Sequence, residues 1–376
     1  MTSSTRAAVI AVTAGALLLV GSPAHAQGGW STVPSPNEPG RNFLLGAAAS
    51  DPGHVWAVGR FFGRRNGLAD HGLILRHDGT AWRAAPRSAF PPADALFDVD
   101  AVSGTEAWAV GASYPQFGRS STLVARWNGT VWAPEPSPNG NPSSYNHLSG
   151  VAAAGGTVWA VGTYGEPGSS ISRRALILQR TGGTWRVSPA PRILATDFLE
   201  SVDATGPADA WAVGWGSNDV YGAPGVPIAL HWNGTAWRSV PVPATGGTEL
   251  RAVTALAPGN VWAVGTTATS GSGWQPYVVR FDGTSWRRVA TPLLAAGGQL
   301  NDIVALSPSN IVAVGSAGDG TSLVLHWNGS SWTREAAPTA LALAGAAAVG
   351  PNTFWAVGTR FDLNAYEERT FTAVRT

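Results

Sequence analysis

A four-residue motif that returns about every fifty residues limits this chain to a repeat architecture. Trp-Ala-Val-Gly occurs six times, and in one further place the sequence IVAVG puts Val312 where the tryptophan would stand. The six motifs begin at Trp56, Trp108, Trp159, Trp211, Trp262 and Trp355. Counting Val312, successive motifs are 52, 51, 52, 51, 50 and 43 residues apart. Such a period indicates that each unit buries its apolar face against its neighbours.

Each repeat predicts four short strands, which we name A to D. In the fifth repeat, LRAVTAL is strand A, VWAVGT strand B, YVVRF strand C and TSWRRV strand D. Large and small residues alternate in strand B, as is typical of a strand. Asn-Gly or Asp-Gly separates C from D and predicts a two-residue hairpin with positive φ at both turn positions. A second tryptophan series closes six of the repeats, at Trp82, Trp132, Trp185, Trp237, Trp286 and Trp332.

Seven such repeats predict an all-β fold, a seven-bladed β-propeller with four-stranded antiparallel blades. The last repeat has no final tryptophan strand, whereas the chain opens with an isolated strand D sequence, GGWSTVPSP, at Trp30. We expect this N-terminal strand to complete the last blade and close the ring, which removes two exposed sheet edges. The repeated tryptophans are then expected to pack between adjacent blades.

The first 26 residues predict a secretory signal peptide. One cation, Arg6, precedes an apolar run, and Ala24 and Ala26 form a small-x-small cleavage site. The apolar run is short for a membrane anchor. The predicted domains are therefore a signal peptide over 1–26 and one propeller over 27–376, in a secreted protein with no membrane association after cleavage.

Composition excludes several kinds of chemistry. The sequence has no Cys, and all 24 of its Lys and Arg residues are Arg, so thiol, disulfide and Schiff-base chemistry are absent. The six His of the mature chain show no metal-ligand spacing, and we expect no cofactor and no metal. Removing residues 1–26 leaves 23 Arg against 23 Asp and Glu, a balance that argues against a nucleic-acid partner. A monomer from a GC-rich bacterium is the expectation.

The repeat pattern resembles known propeller families. VWAVG followed by LHWNGTAWRSVPVP resembles a kelch unit, and W-A-V-G with a later [ND]-G-[TS]-x-W is similar to the sialidase-type and photosystem-assembly-factor-type propellers. The resemblance covers the whole mature chain. It implies the fold and not the activity, because propellers carry many unrelated functions.

The connections from B to C and from D to A vary between repeats, and in antiparallel blades they emerge on one face. Variable loops on a rigid frame are where binding residues concentrate. The predicted ligand-binding residues are Trp215, Trp274, Tyr114, Tyr164, Tyr221, Arg64, Arg119 and Asp219. Among them Trp215 and Trp274 lie outside the repeated positions, which makes them candidates for an aromatic platform. Further loop candidates include Tyr145, Asn146, His147, Asp197, Glu249 and Asn301.

Three functions are consistent with this pattern. The first is a binding module for a glycan or an extracellular protein, without catalytic residues. The second is a glycoside hydrolase or lyase, for which spaced loop carboxylates would converge on the axis. Those carboxylates are Asp70, Glu166, Asp219 and Asp362. The third is a surface scaffold without a small ligand.

Overall fold

The computed structural model describes residues 29–63, 70–88, 90–91, 93–116, 119–169, 172–219, 225–244, 246–270 and 273–376. This part of the chain forms strands β1 to β28, arranged in seven four-stranded antiparallel sheets. The inner strands of all seven sheets surround one central channel. The fold is therefore a seven-bladed β-propeller, as the repeats predict. The predicted signal peptide lies outside the described residues.

The strands of each blade follow in chain order from the channel outward. Blades 1 and 2 are β2 (Gly40–Asp51), β3 (His54–Gly63), β4 (Asp70–His77), β5 (Trp82–Ala84) and β6 (Asp94–Ser103), β7 (Glu106–Gln116), β8 (Arg119–Trp127), β9 (Trp132–Glu135). Blades 3 and 4 are β10 (Asn146–Ala154), β11 (Thr157–Gly165), β12 (Arg173–Thr181), β13 (Thr184–Val187) and β14 (Thr196–Gly206), β15 (Asp209–Ser217), β16 (Val226–Trp232), β17 (Trp237–Ser239). Blades 5 and 6 are β18 (Thr248–Ala257), β19 (Asn260–Thr269), β20 (Gly273–Phe281), β21 (Trp286–Arg288) and β22 (Gly298–Ser307), β23 (Asn310–Ala317), β24 (Ser322–Trp327), β25 (Trp332–Arg334).

The seventh blade combines the two ends of the propeller. It consists of β26 (Ala342–Val349), β27 (Thr353–Asp362), β28 (Glu367–Arg375) and the N-terminal β1 (Ser31–Thr32). Ser31 pairs with Val374 and Thr32 with Ala373. Hydrogen bonds continue past the strand, from Val33 N to Thr372 O at 2.9 Å and from Thr370 N to the side chain of Asn37 at 2.7 Å. The predicted closure by the N-terminal strand is confirmed.

The repeated tryptophans lie between blades. The strand B tryptophan of one blade meets the strand D tryptophan of the next edge to face: Trp56 and Trp132 have ring centroids 5.1 Å apart at 89°, and Trp211 and Trp286 lie 5.2 Å apart at 86°. All of these rings are buried. At the closure, Trp30 packs in the cluster that contains Val312, the residue that replaces a tryptophan in the motif.

The glycine of the Trp-Ala-Val-Gly motif is required by a close backbone approach. It pairs with a leucine that recurs in strand A of every repeat. These leucines are Leu44, Leu96, Leu148, Leu199, Leu250, Leu300 and Leu343. A bulge follows the leucine, as between Leu44 and Gly46 in blade 1. A Cβ on Gly59 would lie 1.9 Å from the carbonyl oxygen of Phe43. A Cβ on Gly214 would lie 2.0 Å from the carbonyl oxygen of Phe198. Any side chain here would push strand B away from the bulged strand A.

The prediction of two-residue hairpins at the Asn-Gly and Asp-Gly sequences between strands C and D is wrong. His77 pairs with Trp82, so the Asp-Gly of blade 1 lies in a four-residue loop and not in a two-residue hairpin. Only the glycine has positive φ, 92° at Gly79. The side chain of Asp78 explains the difference, because its Oδ1 accepts the N–H groups of Thr80 and Ala81 at 3.0 and 2.9 Å. Asn128, Asn233, Asp282 and Asn328 cap their loops in the same way.

Candidate functional site

The two ends of the propeller differ in their connections. The A–B and C–D turns emerge on one end, which we call the hairpin face, and are two to four residues long. The B–C and D–A connections emerge on the other end, the loop face, and differ in length, as with 166–172 in blade 3 and 270–272 in blade 5. The loop face is where a site is expected.

A cavity of about 350 Å³, which we call the mouth pocket, lies on the loop face between blades 4, 5 and 6. Its lining residues are Glu200, Trp215, Glu249, Arg251 and Asn301. Trp215 comes from the end of β15, and the other four come from the inner strands β14, β18 and β22. The pocket therefore lies beside the mouth of the central channel.

Trp215 is held on two sides. Phe198, its partner across the β14–β15 ladder, stacks on the indole with centroids 4.4 Å apart and 15° between the planes. The indole Nε1–H donates to Glu200 Oε1 at 3.1 Å. Phe198 thus covers one face of the ring, and the ring meets the pocket in a fixed orientation.

Three further lining residues of the pocket form a connected polar group. Arg251 Nη2 lies 3.2 Å from Glu249 Oε2, and its Nη1 donates to Asn301 Oδ1 at 3.4 Å. Asn301 Nδ2 in turn donates to Leu343 O in blade 7 at 2.8 Å. These contacts join blades 5, 6 and 7 and orient a carboxylate, a guanidinium and a carboxamide before any ligand arrives.

The two pocket carboxyl groups have different surroundings. Burial raises the pKa of Glu200 above its ordinary value, the charge of Glu249 acts in the same direction, and the Trp215 hydrogen bond and the charge of Arg251 oppose the shift. Glu249 has a direct ion pair with Arg251. The pocket therefore combines a carboxyl group whose pKa is raised by burial with a carboxyl group that is ion-paired with an arginine.

A separate aromatic group lies on the loop face at blades 2 and 3. His147 lies 4.2 Å from Phe97 and stacks on Tyr145 at 5.8 Å, between ring centroids, and Arg173 lies over the Tyr145 ring at 5.4 Å. Burial and the charge of Arg60 lower the pKa of His147 to about 4, so its ring is neutral at pH 7. The pKa of Tyr145 is raised by burial, and the charge of Glu200 adds to that rise while Arg173 opposes it.

The structure brings only some of the predicted ligand-binding residues together. Trp215, Glu249 and Asn301 line the mouth pocket. Trp274 is 46% exposed on blade 5 and is not among the pocket residues, so the two tryptophans do not form one platform there. Tyr164 packs in the cluster between blades 2 and 3, close to Gly140.

The remaining predicted residues lie elsewhere. Tyr114 is half-buried at the end of blade 2, and its N–H donates to Ala93 O at 2.9 Å. Arg119 and Asp219 are exposed. Arg64 and Tyr221 lie outside the described residues.

Among the predicted loop carboxylates whose side chains the structure describes, none lines the pocket, and the side chain of Asp70 lies outside the described part. Glu166 pairs with Arg174 at 2.6 Å and with Arg192 at 3.7 Å. Asp362 caps its own turn through the N–H groups of Asn364 and Ala365. The carboxyl groups that line the mouth pocket are those of Glu200 and Glu249.

Sequence reasoning missed Glu200 and Arg251. Each follows the repeated leucine of strand A and is the extra residue of the bulge, in the segments Leu199/Ser201 and Leu250/Ala252. Asn301 has the same position in blade 6. The residue after the repeated leucine is thus the sequence signal that would have found this wall.

A second polar region lies inside the channel, which encloses about 190 Å³. Aspartates of the even-numbered blades each accept an N–H from the inner strand of the next blade. The four bonds are Val151 N to Asp98 (2.9 Å), Ala153 N to Asp100 (2.7 Å), Ala255 N to Asp203 (2.7 Å) and Ala346 N to Asp302 (2.7 Å). No cationic side chain is among the described channel residues.

These aspartates have raised pKa values because they are buried. The pKa is about 8 for Asp98, about 7 for Asp203 and Asp302, and about 6 for Asp100. Their mutual repulsion adds to the shift at Asp98, Asp203 and Asp302. Within the described ranges, no three His, Cys, Asp or Glu side chains are grouped so that they could hold a metal ion. The described part of the chain also contains no helix that could cross a membrane.

Comparison with known proteins places the fold and leaves the activity open. No family model matches the sequence, and no curated protein matches it. Solved structures do match. YCF48 from Cyanidioschyzon merolae is 16% identical with a TM-score of 0.55, over 92% of this chain and 98% of that chain. A structure described as YCF48 bound to D1 peptide is 15% identical with a TM-score of 0.56, over 92% and 97%.

The WD40 β-propeller domain of Doa1 is 10% identical with a TM-score of 0.55, over 91% of this chain and 97% of that chain. Identities this low show a shared fold. The chain thus shares the seven-bladed propeller fold of these proteins, and that fold carries many unrelated functions. The finer assignment of its repeats to the kelch or sialidase type stays a prediction.

Proposed function

We propose that this protein is a secreted binding module that takes a glycan or a segment of an extracellular protein at the mouth pocket. The observation that carries the proposal is the pocket itself. An indole held by Phe198 and Glu200 faces a fixed group of charged and amide side chains near the axis of a rigid ring. Concave sites with one aromatic wall and a few oriented polar groups are typical of ligand-binding pockets.

Two further observations support a binding role outside the cell. The first 26 residues read as a signal peptide, which supports secretion. One structural neighbour is described as bound to a peptide, so this fold can hold a protein segment.

The test is a pull-down of the mature protein on a panel of insoluble and soluble polysaccharides and on extracellular protein extracts. Trp215→Ala should lose at least tenfold in retention, because the indole supplies the apolar wall of the pocket. Trp232→Ala is the matched control, since it removes a half-buried indole of the same blade whose Nε1–H donates to Pro207 O on the hairpin face. Thermal unfolding of each variant shows that the loss is not a loss of fold.

Three outcomes would redirect the proposal. Equal retention of Trp215→Ala and wild type would contradict the mouth pocket as the site. Loss only in Trp274→Ala would move the site to the exposed indole of blade 5. If no glycan and no protein retains the mature protein, a binding role is contradicted and a surface scaffold without a small ligand is the remaining function.

A further inference from the structure

We propose that the mouth pocket hydrolyses the glycosidic bond of a glycan that it binds, with Glu200 as the general acid and Glu249 as the general base. The proposal rests on the glycan-binding form of the function above and goes beyond it. It depends on the two carboxyl groups and the indole sharing one cavity at the axis.

The first step of the argument is the difference between the two carboxyl groups. Hydrolysis of a glycosidic bond needs one carboxyl that can give a proton and one that can take a proton, and different environments create that difference. Glu200 lies beside the indole, and burial raises its pKa above the ordinary value of a glutamate. Glu249 has an ion-pair contact instead, with its Oε2 3.2 Å from Nη2 of Arg251.

The second step is which oxygen carries the proton. The Trp215 N–H donates to Glu200 Oε1, so Oε1 acts as an acceptor. When the carboxyl is protonated, Oε2 is therefore the oxygen that carries the proton and can present it to a ligand. Phe198 fixes the indole, and through it the orientation of the acid.

The reaction then balances with water as the only co-reactant. The proton of Glu200 Oε2 moves to the glycosidic oxygen while the bond from that oxygen to the anomeric carbon breaks, and the bonding electrons stay on the oxygen. The oxygen of a water molecule bonds to the anomeric carbon, and one of its protons passes to Glu249. One water is consumed, two sugar hydroxyl groups form, and proton exchange with solvent restores both side chains.

The third step is what keeps the base in place. Arg251 contacts both Glu249 and Asn301, and Asn301 is anchored on the backbone of blade 7. Arg251 and Asn301 are positioning residues for the base in this scheme, and they also present N–H groups to sugar hydroxyls. Glu166, one of the carboxylates predicted from the loops, is not positioned in this way, because it pairs with Arg174 and Arg192 outside the pocket.

The experiment compares the wild type with Glu200→Gln and Glu249→Gln on two kinds of probe. The first probe is each polysaccharide retained in the pull-down, assayed for new reducing ends. The second is a set of 4-nitrophenyl α- and β-glycosides, whose leaving group departs without a proton. Glu106→Gln is the control, because Glu106 pairs with Arg126 at 3.0 Å on the hairpin face.

The expected pattern separates the two roles. Glu200→Gln should lower the release of reducing ends at least 100-fold but cost less than tenfold on the nitrophenyl glycosides, since only the natural leaving group needs the acid. Glu249→Gln should lower both activities at least 100-fold. The alkaline limb of the wild-type pH profile should disappear in Glu200→Gln. Glu106→Gln should behave as wild type.

The results that overturn the inference are distinct from those that overturn the binding function. A glycan retained through Trp215 without any new reducing ends or nitrophenol refutes hydrolysis and leaves the binding module in place. Equal losses of activity in Glu106→Gln and Glu200→Gln would show that the substitutions act through the fold, and would also refute hydrolysis at the pocket. If no glycan is retained and no nitrophenyl glycoside is cleaved, hydrolysis is refuted and only the protein-binding form of the function remains.

Discussion

Two tryptophans four residues apart on strand β15 have opposite roles. Trp211 is fully buried, lies edge to face with Trp286 at 5.2 Å and stacks on His231 at 4.4 Å. Its indole N–H has no hydrogen-bond partner among the described residues. Trp215 is half-buried, stacks on Phe198, and its N–H donates to Glu200.

The difference follows from position along the strand. Trp211 lies in the part of strand B where each blade contacts the next, so its side-chain surface is buried in the packing between blades. Trp215 lies past the motif glycine, where strand B reaches the loop face and no other repeat has a tryptophan. The framework of the propeller is thus repeated, and the candidate site is built from residues that the repeat leaves free to vary.

The largest expected effect comes from removing part of the framework. A chain that lacks residues 27–37 loses β1, the Trp30 side chain in the Val312 cluster and the bonds to Thr370 and Thr372. We expect the free energy of unfolding to fall by about 3–5 kcal/mol. Denaturant unfolding measures this, and Trp30→Ala alone should produce part of the loss. An unchanged midpoint for the truncated chain would contradict ring closure.

The channel aspartates predict a smaller, pH-dependent effect. Their pKa values, about 6 to 8 in the folded protein, exceed the ordinary value of 3.8, so the folded state binds more protons than the unfolded state above pH 4. Stability from these groups is complete below pH 4 and is lost as the pH rises toward 8. Because the channel leaves the side chains partly exposed, we expect about 1 kcal/mol per group after solvent screening.

Thermal unfolding between pH 5 and pH 8 measures this slope. Asp302→Ser is a suitable variant, because blade 4 has Ser201 at the same position and its hydroxyl accepts Val253 N at 3.3 Å. The variant should keep the interblade acceptor and show a shallower decline with pH. A melting temperature that rises from pH 5 to pH 8 would contradict the assignment.

The hairpin face predicts the smallest effect. Asn233→Ala removes an acceptor for the N–H groups of Thr235 and Ala236, at 3.1 and 3.0 Å. The loss should be about 1 kcal/mol of stability, with no change in ligand binding. Asn233→Asp is the control, since blades 1 and 5 have aspartate at this place and should show that it is tolerated. A loss of binding in Asn233→Ala would mean that the two faces are coupled.

The sequence predicted the framework well because the framework is periodic. Seven motifs, four strands per repeat and the unmatched Trp30 strand lead directly to the closed ring. The four-residue C–D loops were not predicted, because they depend on side-chain capping by Asp78 and its equivalents.

The candidate site was predicted only in part. Trp215, Glu249 and Asn301 were found because they lie on variable connections or at their edges. Glu200 and Arg251 were missed because a bulge turns them toward the pocket, and a bulge is a property of strand register. Which residues of different blades meet at the axis depends on the packing of the ring, and a repeat period carries no information about that packing.

The most direct test of the division between framework and site is to measure stability and binding for Trp211→Ala and Trp215→Ala side by side. Trp211→Ala should lower the free energy of unfolding by about 3–5 kcal/mol and leave the affinity of the folded fraction unchanged. Trp215→Ala should change stability by roughly 1 kcal/mol and abolish retention of the ligand. If Trp215→Ala destabilises as much as Trp211→Ala and still binds, Trp215 belongs to the framework and the mouth pocket is not the site.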